Sequence, residues 1–369
     1  MTAKRPTITD VAAAAGVSKA TVSAVLNESG AVKDATRDRV LSAIELLNYH
    51  PTQLAGRGAA LRSRCIAVVI KEYDNPYYAA VIAGARAAAD AQGYTLLVVS
   101  SEGEYEAERR AVALLRTKDV DGLIITPVLD EQADLSHLFE LKRRNVPFVL
   151  LEQVRGIPAS LVDIDNVDAS RRAVEHLMAL GHTRVVHFAG PAYSAHSEER
   201  LDGVYRAFGS SRHAFTADVV VRAGAHLEDG YRAGVACFRD RAAHERPTGV
   251  SCYNDLVAIG LLGALRELGL RVPHDVSVVG FDDIPLCRFL PEPLTSMHVP
   301  KYEMGETAAQ QLIRHIESKQ ALPPQKVSLE AELIVRATTA SPPVDAADPL
   351  NDATLPKRTR ATARSGARA

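Results

Sequence analysis

The chain has 369 residues, of which 47% are apolar and 24% are charged, the composition of an ordinary globular protein. Its length predicts two or three compact units rather than one small domain. No run of about 18 apolar residues occurs, and the segment MTAKRPTITD lacks the apolar core of a signal peptide, so the sequence excludes a membrane-spanning protein and favours the cytoplasm.

Charge is distributed unevenly along the chain. The first 64 residues contain nine Lys and Arg against five Asp and Glu, a balance of +4, which leaves −6 for the remainder because the net charge is −2. A basic N-terminal segment is the electrostatic pattern of a nucleic-acid-binding domain. The four cysteines are far apart and form no CxxC pair, so we expect reduced thiols and neither zinc nor another cofactor.

Three short helices are predicted in the segment 7–48 from the spacing of its apolar residues. The first begins near Thr9, whose hydroxyl can act as the N-cap, and Gly16 ends it. The second follows the N-cap Ser18, and the third begins near Thr36. The alternative is a small helical bundle with a polar surface and no bound partner.

Two helices separated by a glycine turn predict a helix-turn-helix, whose second helix enters the major groove of DNA. Val22, Val25 and Leu26 would anchor the second helix, while the short side chains on its other face allow a close approach to base edges. Hydroxyl groups can bind phosphates, and Lys19 can reach guanine acceptors. The predicted DNA contacts in this segment are Thr9, Ser18, Lys19, Ala20, Thr21, Ser23, Ala24 and Asn27.

From Cys65 onwards, short β-rich runs alternate with helical segments, a pattern typical of parallel sheets with helices on both faces. There are too many units for one sheet, so we expect two similar lobes. The predicted strands are CIAVVI, TLLVVS, DGLIIT, PFVLL, VVHFAG, VVVRAG, GVSCYN and SVVGF. The predicted helices are Tyr78–Gln92, Tyr105–Lys118, Ala169–Leu180, one around Arg200, one near Tyr231, and Leu256–Leu268.

The stretches TITDVAAAAGVSKATVSAVLNESGAV and TRDRVLSAIELLNYHP resemble the DNA-binding head of the LacI/GalR family of bacterial transcription regulators. The similarity continues to about residue 340 through DNPYYAAVIAGA, HLMALGHTRVVHFAG, RLDGVYRAF, YNDLVAIGLLGALRELGLRVPHDVSVVGFDD and PLTSMHVPKYEMGETAA. The resemblance implies an all-α helix-turn-helix domain followed by an α/β two-lobed domain like the periplasmic binding proteins, each lobe a doubly wound parallel sheet.

The domain organisation that follows has four parts. They are a helix-turn-helix domain at 1–50, a hinge at 51–63, a two-lobed effector-binding and dimerisation domain at 64–340, and a disordered Pro-, Ala- and Arg-rich tail at 341–369. Within the two-lobed domain we expect lobe 1 at about 64–163 and 297–326, and lobe 2 at about 164–296 and 327–340.

In the family, the hinge is a helix that enters the minor groove and inserts a leucine into the central base step. The resemblance implies further DNA contacts from Leu54, Ala55 and Arg57. The position of the inserted leucine is Gly58 here, and Gly56 adds a second residue that weakens a helix by about 1 kcal/mol relative to alanine. The chain therefore departs from the family pattern in its hinge.

Seven residues match the effector pocket of the family. They are Tyr77, Tyr78, Glu152, Arg200, His226, Asn254 and Asp282. The resemblance implies that tyrosine rings and His226 stack on the effector, and that the other side chains hold it through paired hydrogen bonds. The alternatives are half-buried packing for Tyr77, an ordinary salt bridge for Arg200, a turn cap for Asp282 and a surface position for His226.

The sequence contains no nucleophile elbow, P-loop, HExxH or dinucleotide-binding motif, so an enzyme is not expected. The resemblance implies a homodimeric repressor that binds a pseudo-palindromic double-stranded DNA operator, has no membrane partner, and lies on the nucleoid when bound. The Tyr78–Gln92 helix is expected in the dimer contact. A small effector between the lobes, a sugar or sugar derivative, would control operator binding. A sugar-binding protein without a DNA-linked function is the alternative.

Overall fold

The computed structural model describes most of the chain and divides it into two compact units, Met1–Arg62 and Ser63–Ala369. The described residues are 7–26, 32–47, 63–117, 120–129, 134–211, 219–318, 320 and 322–343. The predictions for Asn27, for residues 51–62 of the hinge and for most of the tail lie outside these residues. No described helix combines the length and the apolar content that crossing a bilayer requires.

The first unit contains three helices in its described part: α1 (Ile8–Ala15), α2 (Lys19–Leu26) and α3 (Asp34–Leu46). Their buried faces form one small core. It consists of Val11, Ala12, Ala15, Val22, Val25, Val40 and Ala43. Gly16 follows α1 with φ of 63°, a left-handed conformation that glycine adopts without strain.

The prediction of Thr9 as the N-cap of the first helix was wrong. The helix begins at Ile8, and Thr7 is the N-cap residue. The Thr7 backbone N–H and hydroxyl both donate to Asp10 Oδ2, each at 2.7 Å, so the acid three residues later fixes the start of the helix. The prediction for the second helix was confirmed, because Ser18 Oγ accepts a hydrogen bond from the Thr21 backbone N–H at 3.1 Å.

The second unit contains two sheets, and each has six strands in the described residues. Sheet 1 is entirely parallel, in the order β11-β5-β4-β3-β1-β2. Its strands are β1 (Cys65–Ile70), β2 (Thr95–Ser100), β3 (Gly122–Ile125), β4 (Phe148–Leu150), β5 (Ser160–Ile164) and β11 (Lys326–Leu329). The helices that belong to it are α4 (Pro76–Ala91), α5 (Tyr105–Thr117), α6 (Ser136–Arg143) and α11 (Lys301–Glu317).

Sheet 2 has the order β12-β10-β9-β8-β6-β7, and only β12 runs antiparallel to its neighbour. Its strands are β6 (Val185–Ala189), β7 (Val220–Arg222), β8 (Gly249–Cys252), β9 (Ser277–Asp282), β10 (Thr295–His298) and β12 (Glu332–Ile334). Its helices are α7 (Asn166–Ala179), α8 (Ala195–Gly209), α9 (Leu227–Phe238) and α10 (Asp255–Glu267). The expected fold class is confirmed, with helices covering strands that are buried on both faces.

The described chain passes between the two sheets three times: after β5, after β10 and after β11. The second crossing follows the end of β10 at His298, and the third follows the end of β11 at Leu329. These positions are two and three residues after the predicted lobe boundaries at 296 and 326. Met297 pairs with Phe281 in sheet 2, and Val327 pairs with Val162 in sheet 1. Strand pairing decides these boundaries, and the apolar pattern of the sequence does not reveal which sheet a strand joins. Lobe 1 and lobe 2 below denote the parts built on sheet 1 and sheet 2.

Helices α4 and α11 of lobe 1 cross at backbone contact. A Cβ atom at Gly84 would lie 1.9 Å from the carbonyl oxygen of Tyr302, and one at Gly305 would lie 1.9 Å from that of Val81. Only glycine permits so close a crossing. This packing attaches α11, which follows the second crossing, firmly to lobe 1.

Candidate functional site

The exposed face of α2 carries the small polar residues that the sequence predicts as DNA contacts. Ser18, Lys19 and Ala20 are exposed, and Thr21, Ser23 and Ala24 are half-buried. Val22 and Val25 are buried on the opposite face. Thr9 is exposed in the first turn of α1. The helix therefore presents short side chains outward, and their contacts with bases and phosphates stay predictions.

The carboxyl ends of the strands of both sheets meet at a cleft between the lobes, the place where open α/β sheets bind ligands. The cleft contains a cavity of about 80 Å³. Its lining includes Tyr77, Tyr78, Glu152, Arg200, Asn254 and Asp282, which are six of the seven predicted effector residues, together with Lys71, Glu72, Asn75, Thr126, Leu151, His196, Ala225 and Tyr253. The fold brings these six residues together, and their role as ligand contacts stays a prediction.

Glu152 follows β4, is fully buried, and joins the two lobes. One carboxylate oxygen accepts from Lys71 Nζ of lobe 1 at 2.5 Å. The other accepts from Ser194 Oγ at 2.9 Å and from the His196 backbone N–H at 3.3 Å, both in lobe 2. Burial alone would raise the pKa of this carboxyl, but the charge of Lys71, followed by that of His196, lowers the pKa to about 2.

Arg200 lies on α8 with its guanidinium buried and held on several sides. Nε donates to Asn166 Oδ1 at 3.0 Å, and Nη1 donates to the Tyr253 carbonyl at 2.6 Å. The guanidinium carbon is 3.7 Å from the centre of the Phe281 ring, a cation–π contact. Nη2 lies 3.8 Å from Asp282 Oδ1. The alternative role for Arg200 was an ordinary salt bridge. The structure contains such a contact, with Asp282, and both of these residues line the cavity.

Asp282 ends β9 with φ of 106°, and Asp283 follows with φ of 54°, so two consecutive non-glycine residues have left-handed backbones. The buried Lys301 ammonium stabilises this turn by donating to the carbonyl oxygens of Asp282, Asp283 and Val299. Burial raises the pKa of Asp282, and the charge of Arg200 opposes that shift. Asp283 pairs instead with Arg336 at 2.7 Å, away from the cavity lining.

The two tyrosines at the start of α4 have different environments. Tyr78 is 6% exposed and packs in the core of lobe 1. Tyr77 is half-buried, contacts Tyr78 edge-to-face at 5.2 Å between ring centres, and donates from its hydroxyl to Met304 Sδ at 3.5 Å. Asn254 caps α10 through Oδ1, and its Nδ2 donates to the Ala225 carbonyl at 2.8 Å. All three side chains therefore have structural contacts as well as a place on the cavity.

His226 is outside the cavity lining, at the N-cap of α9, with about half of its side chain exposed. Its Nδ1 lies 3.2 Å from Asp229 Oδ2, and its Nε2 lies 2.9 Å from Glu72 Oε1 across the cleft. The neighbouring Ala225 lines the cavity instead. The stacking role predicted for His226 stays a prediction.

Sequence reasoning missed Lys71, Ser194 and His196. Lys71 directly follows β1, and the other two lie between β6 and the first turn of α8. The rule that directs attention to the carboxyl ends of parallel strands would have found them. Their partners are distant in sequence, 81 residues separating Lys71 from Glu152, so the ion pairs themselves could not be predicted.

A basic helix-turn-helix unit followed by a two-lobed α/β unit with a polar cavity between its lobes defines a class: transcription regulators that respond to small molecules. Comparisons with known proteins agree. The family model described as "Bacterial regulatory proteins, lacI family" matches residues 7–52, and "Periplasmic binding protein-like domain" matches 174–339.

The HTH-type transcriptional repressor PurR of Vibrio vulnificus (strain CMCP6) is 32% identical over 337 residues, which are 90% of this chain and 98% of that protein. PurR of Aliivibrio fischeri (strain MJ11) is 33% identical over 314 residues, 85% of this chain and 92% of that protein. Among solved structures, the lac repressor dimer bound to operator and the anti-inducer ONPF is 30% identical, with a TM-score of 0.69, and covers 91% of this chain and 100% of that one.

The transcriptional regulator CelR–cellobiose complex is 31% identical with a TM-score of 0.66, and covers 90% of this chain and 100% of that one. The chain belongs to the LacI family of bacterial regulatory proteins. It is a DNA-binding transcriptional repressor, not an enzyme.

Proposed function

We propose that this repressor acts as a dimer in the cytoplasm, that it binds a pseudo-palindromic operator, and that a small uncharged carbohydrate bound between its lobes controls operator affinity. The observation that carries the proposal is the lining of the cleft cavity, where carboxylate, guanidinium and amide groups converge beside tyrosine rings. Such planar polar groups bind adjacent hydroxyls through paired hydrogen bonds, and aromatic rings pack against the sugar face.

The ion pairs of the cavity favour an uncharged ligand. Lys71 pairs with Glu152, and Arg200 lies beside Asp282. Glu72 is paired with His226 at the edge of the cleft. A charged ligand would have to displace one member of a buried pair, which leaves the other member without a partner and costs several kcal/mol. A neutral polyol can bind without that cost.

A purine-related effector is the second candidate. The relatives from Vibrio vulnificus and Aliivibrio fischeri are both named PurR, and Tyr77 and Tyr253 both contribute to the cavity lining, where a flat heterocycle could stack. Either ligand needs more room than about 80 Å³, because pockets for small molecules are typically about 300–1,000 Å³. Ligand binding would therefore shift the equilibrium between lobe arrangements.

The dimer contact is proposed to include the exposed side of α4, as the sequence predicts, and the adjoining edge strand β2. The side of α4 away from α11 carries alanines and Ile82, and Leu97 of β2 is partly exposed. In lobe 2, Phe289 is 82% exposed and Leu286 is 49% exposed. Large apolar side chains that are exposed together commonly mark an interface between proteins.

The experiment begins with selection of bound sequences from random duplex DNA by the full-length protein, at one fixed salt concentration because DNA affinity depends steeply on salt. An enriched palindrome supports the dimeric repressor. The selected operator is then titrated in the presence of neutral mono- and disaccharides, their phosphorylated forms, and purine bases.

A neutral sugar that changes operator affinity supports the proposal, and reciprocal coupling of about 1–3 kcal/mol should make the operator change sugar affinity equally. A response to a purine base alone would replace the carbohydrate with the second candidate.

A chain without residues 1–62 tests the alternative of a pure sugar-binding protein. A repressor loses DNA binding and keeps ligand binding after this deletion, whereas a sugar-binding protein keeps its whole function.

A further inference from the structure

Two carboxylates of lobe 1 meet the N-terminus of α8 in lobe 2. Asp163 on β5 faces His196, whose Nε2 lies 2.9 Å from Asp163 Oδ2. Glu152 accepts from the His196 backbone N–H at 3.3 Å and from Ser194 Oγ at 2.9 Å. A single residue, His196, thus contacts both carboxylates across the cleft, through its ring and its backbone.

The surroundings of His196 contain more carboxyl groups than cations. The carboxyl groups are Asp163 on β5, Glu152 after β4, Glu199 on α8 and Asp282 at the end of β9. The cations are Arg200 on α8 and Lys71 after β1, and the latter is already paired with Glu152. A proton on the imidazole therefore compensates buried negative charge contributed by lobe 1.

We propose that His196 controls closure of the cleft through its proton: the imidazolium form holds Asp163 and Glu152 of lobe 1 against α8 of lobe 2, and loss of the proton favours separation of the lobes. The inference concerns the lobes themselves and does not depend on which effector is bound. It makes His196 a positioning residue that the resemblance to the family does not assign.

The sign of the pH effect follows from linkage. Burial by itself lowers the pKa of His196, but Asp163 and then Glu152 outweigh burial and raise the pKa above its ordinary value. Closure is therefore favoured in full below the ordinary pKa, and that contribution is lost as pH rises through the raised pKa. Each unit by which closure raises the pKa corresponds to about a tenfold loss in the ratio of closed to open protein.

A second histidine also spans the cleft, but its position is less suited to this role. His226 contacts Glu72 at 2.9 Å with about half of its side chain exposed, whereas the His196 side chain is 13% exposed. Solvent screens exposed ion pairs and reduces their free energy to about 0–1 kcal/mol. The buried contact of His196 with Asp163 is therefore expected to dominate the pH dependence of cleft closure.

The test uses hydrogen–deuterium exchange of the full-length protein without added ligand, from about pH 6 to about pH 9, with rates corrected for their intrinsic pH dependence. Peptides covering 151–156 and 193–198 report on the two sides of the contact. Exchange of the histidine C2 proton gives the pKa of each histidine in the same samples. The variants are His196→Gln and, as a matched control, His244→Gln, which removes an exposed histidine of lobe 2 that also lies beside a carboxylate.

We expect protection of both wild-type peptides to fall on the order of tenfold as pH rises, with the pKa of His196 above about 6.5. His196→Gln should show low protection at every pH, and His244→Gln should behave as wild type. Asp163→Asn provides a second variant, in which His196 remains but its pKa should fall and the pH dependence should weaken.

Protection in wild type that does not change with pH, or a His196 pKa at or below the ordinary value, would overturn the proposal. The same conclusion follows if His196→Gln retains the wild-type pH dependence. The pH dependence of peptide protection and the pKa of His196 are both measured on the wild-type protein. They therefore test the proposed role of His196 even if a variant fails to fold.

Discussion

The guanidinium carbon of Arg200 lies 3.7 Å above the centre of the Phe281 ring, while Nη2 of the same group is 3.8 Å from Asp282 Oδ1. Two consecutive residues of β9 therefore hold one buried cation, Phe281 by its ring and Asp282 by its charge. This arrangement fixes the position of the group before any ligand arrives, which reduces the entropy that binding must overcome.

Replacement of Arg200 by alanine is expected to abolish the effector response and to leave operator affinity in the absence of effector near that of wild type. The change also leaves buried Asp282 without its cation, so the free energy of unfolding should fall by about 3 kcal/mol. Urea denaturation and operator titration with and without effector measure the two effects.

Arg206→Ala is the matched control for Arg200, because Arg206 lies on the same helix in an exposed pair with Asp202. Its free energy of unfolding should stay within about 0.5 kcal/mol of wild type. Loss of operator binding by Arg200→Ala in the absence of effector would contradict the assignment of Arg200 to the effector site.

The N-cap of the first helix gives a test that separates stability from DNA contact. Thr7→Ala removes the hydroxyl that donates to Asp10 Oδ2, retains the backbone hydrogen bond to the same oxygen, and should lower the stability of the N-terminal helices by about 1 kcal/mol. Thr9→Ala should leave that stability nearly unchanged and weaken operator binding, because Thr9 is exposed in the first turn. Amide exchange in α1 and operator titration measure the two quantities, and equal loss of protection in both variants would refute the distinction.

The crossing of α4 and α11 should not tolerate a methyl group. Gly305→Ala would place a Cβ 1.9 Å from the Val81 carbonyl oxygen, and forcing the helices apart should cost about 1–3 kcal/mol or more. Thermal unfolding measures the loss. Gly209→Ala, near the end of α8 where no atom lies within 4 Å of the added Cβ, should be neutral or stabilising, and a loss in Gly209→Ala as large as that in Gly305→Ala would refute the steric argument.

Two buried histidines predict a loss of stability in acid. Burial lowers the pKa of His187 to about 3 and that of His182 to about 4. Because the unfolded chain binds these protons near the ordinary pKa, the contribution of these two histidines to stability is constant above about pH 6.5 and falls as pH decreases towards the folded-state pKa values, by about 1.4 kcal/mol per pH unit for each histidine.

Urea denaturation at a series of pH values checks this dependence. His187→Gln should reduce the slope between about pH 6 and pH 4, and His244→Gln, which removes an exposed histidine, should not. An unchanged slope in His187→Gln would show that this histidine is not neutral in the folded protein.

The sequence by itself determined the helix-turn-helix and the alternation of strands and helices. Both depend on local patterns: Gly16 between two short apolar-periodic segments, and runs such as CIAVVI followed by a helical segment. The resemblance to the family added six residues that the fold brings to one cavity. The hydroxyl of Thr9 made it the predicted N-cap, but an acid lies three residues after Thr7 and not after Thr9, and the structure pairs Thr7 with Asp10.

Only the tertiary structure decided which residues meet across the cleft. His226 lies beside Glu72, and His196 lies between Asp163 and Glu152, through contacts that join the two lobes. The same applies to the strands β10 and β11, whose sheet membership follows from pairing with partners far away in the chain. Local patterns in a sequence report the periodicity of one element. The partner of a buried charge depends on how the lobes pack, and that information is distributed over the whole chain.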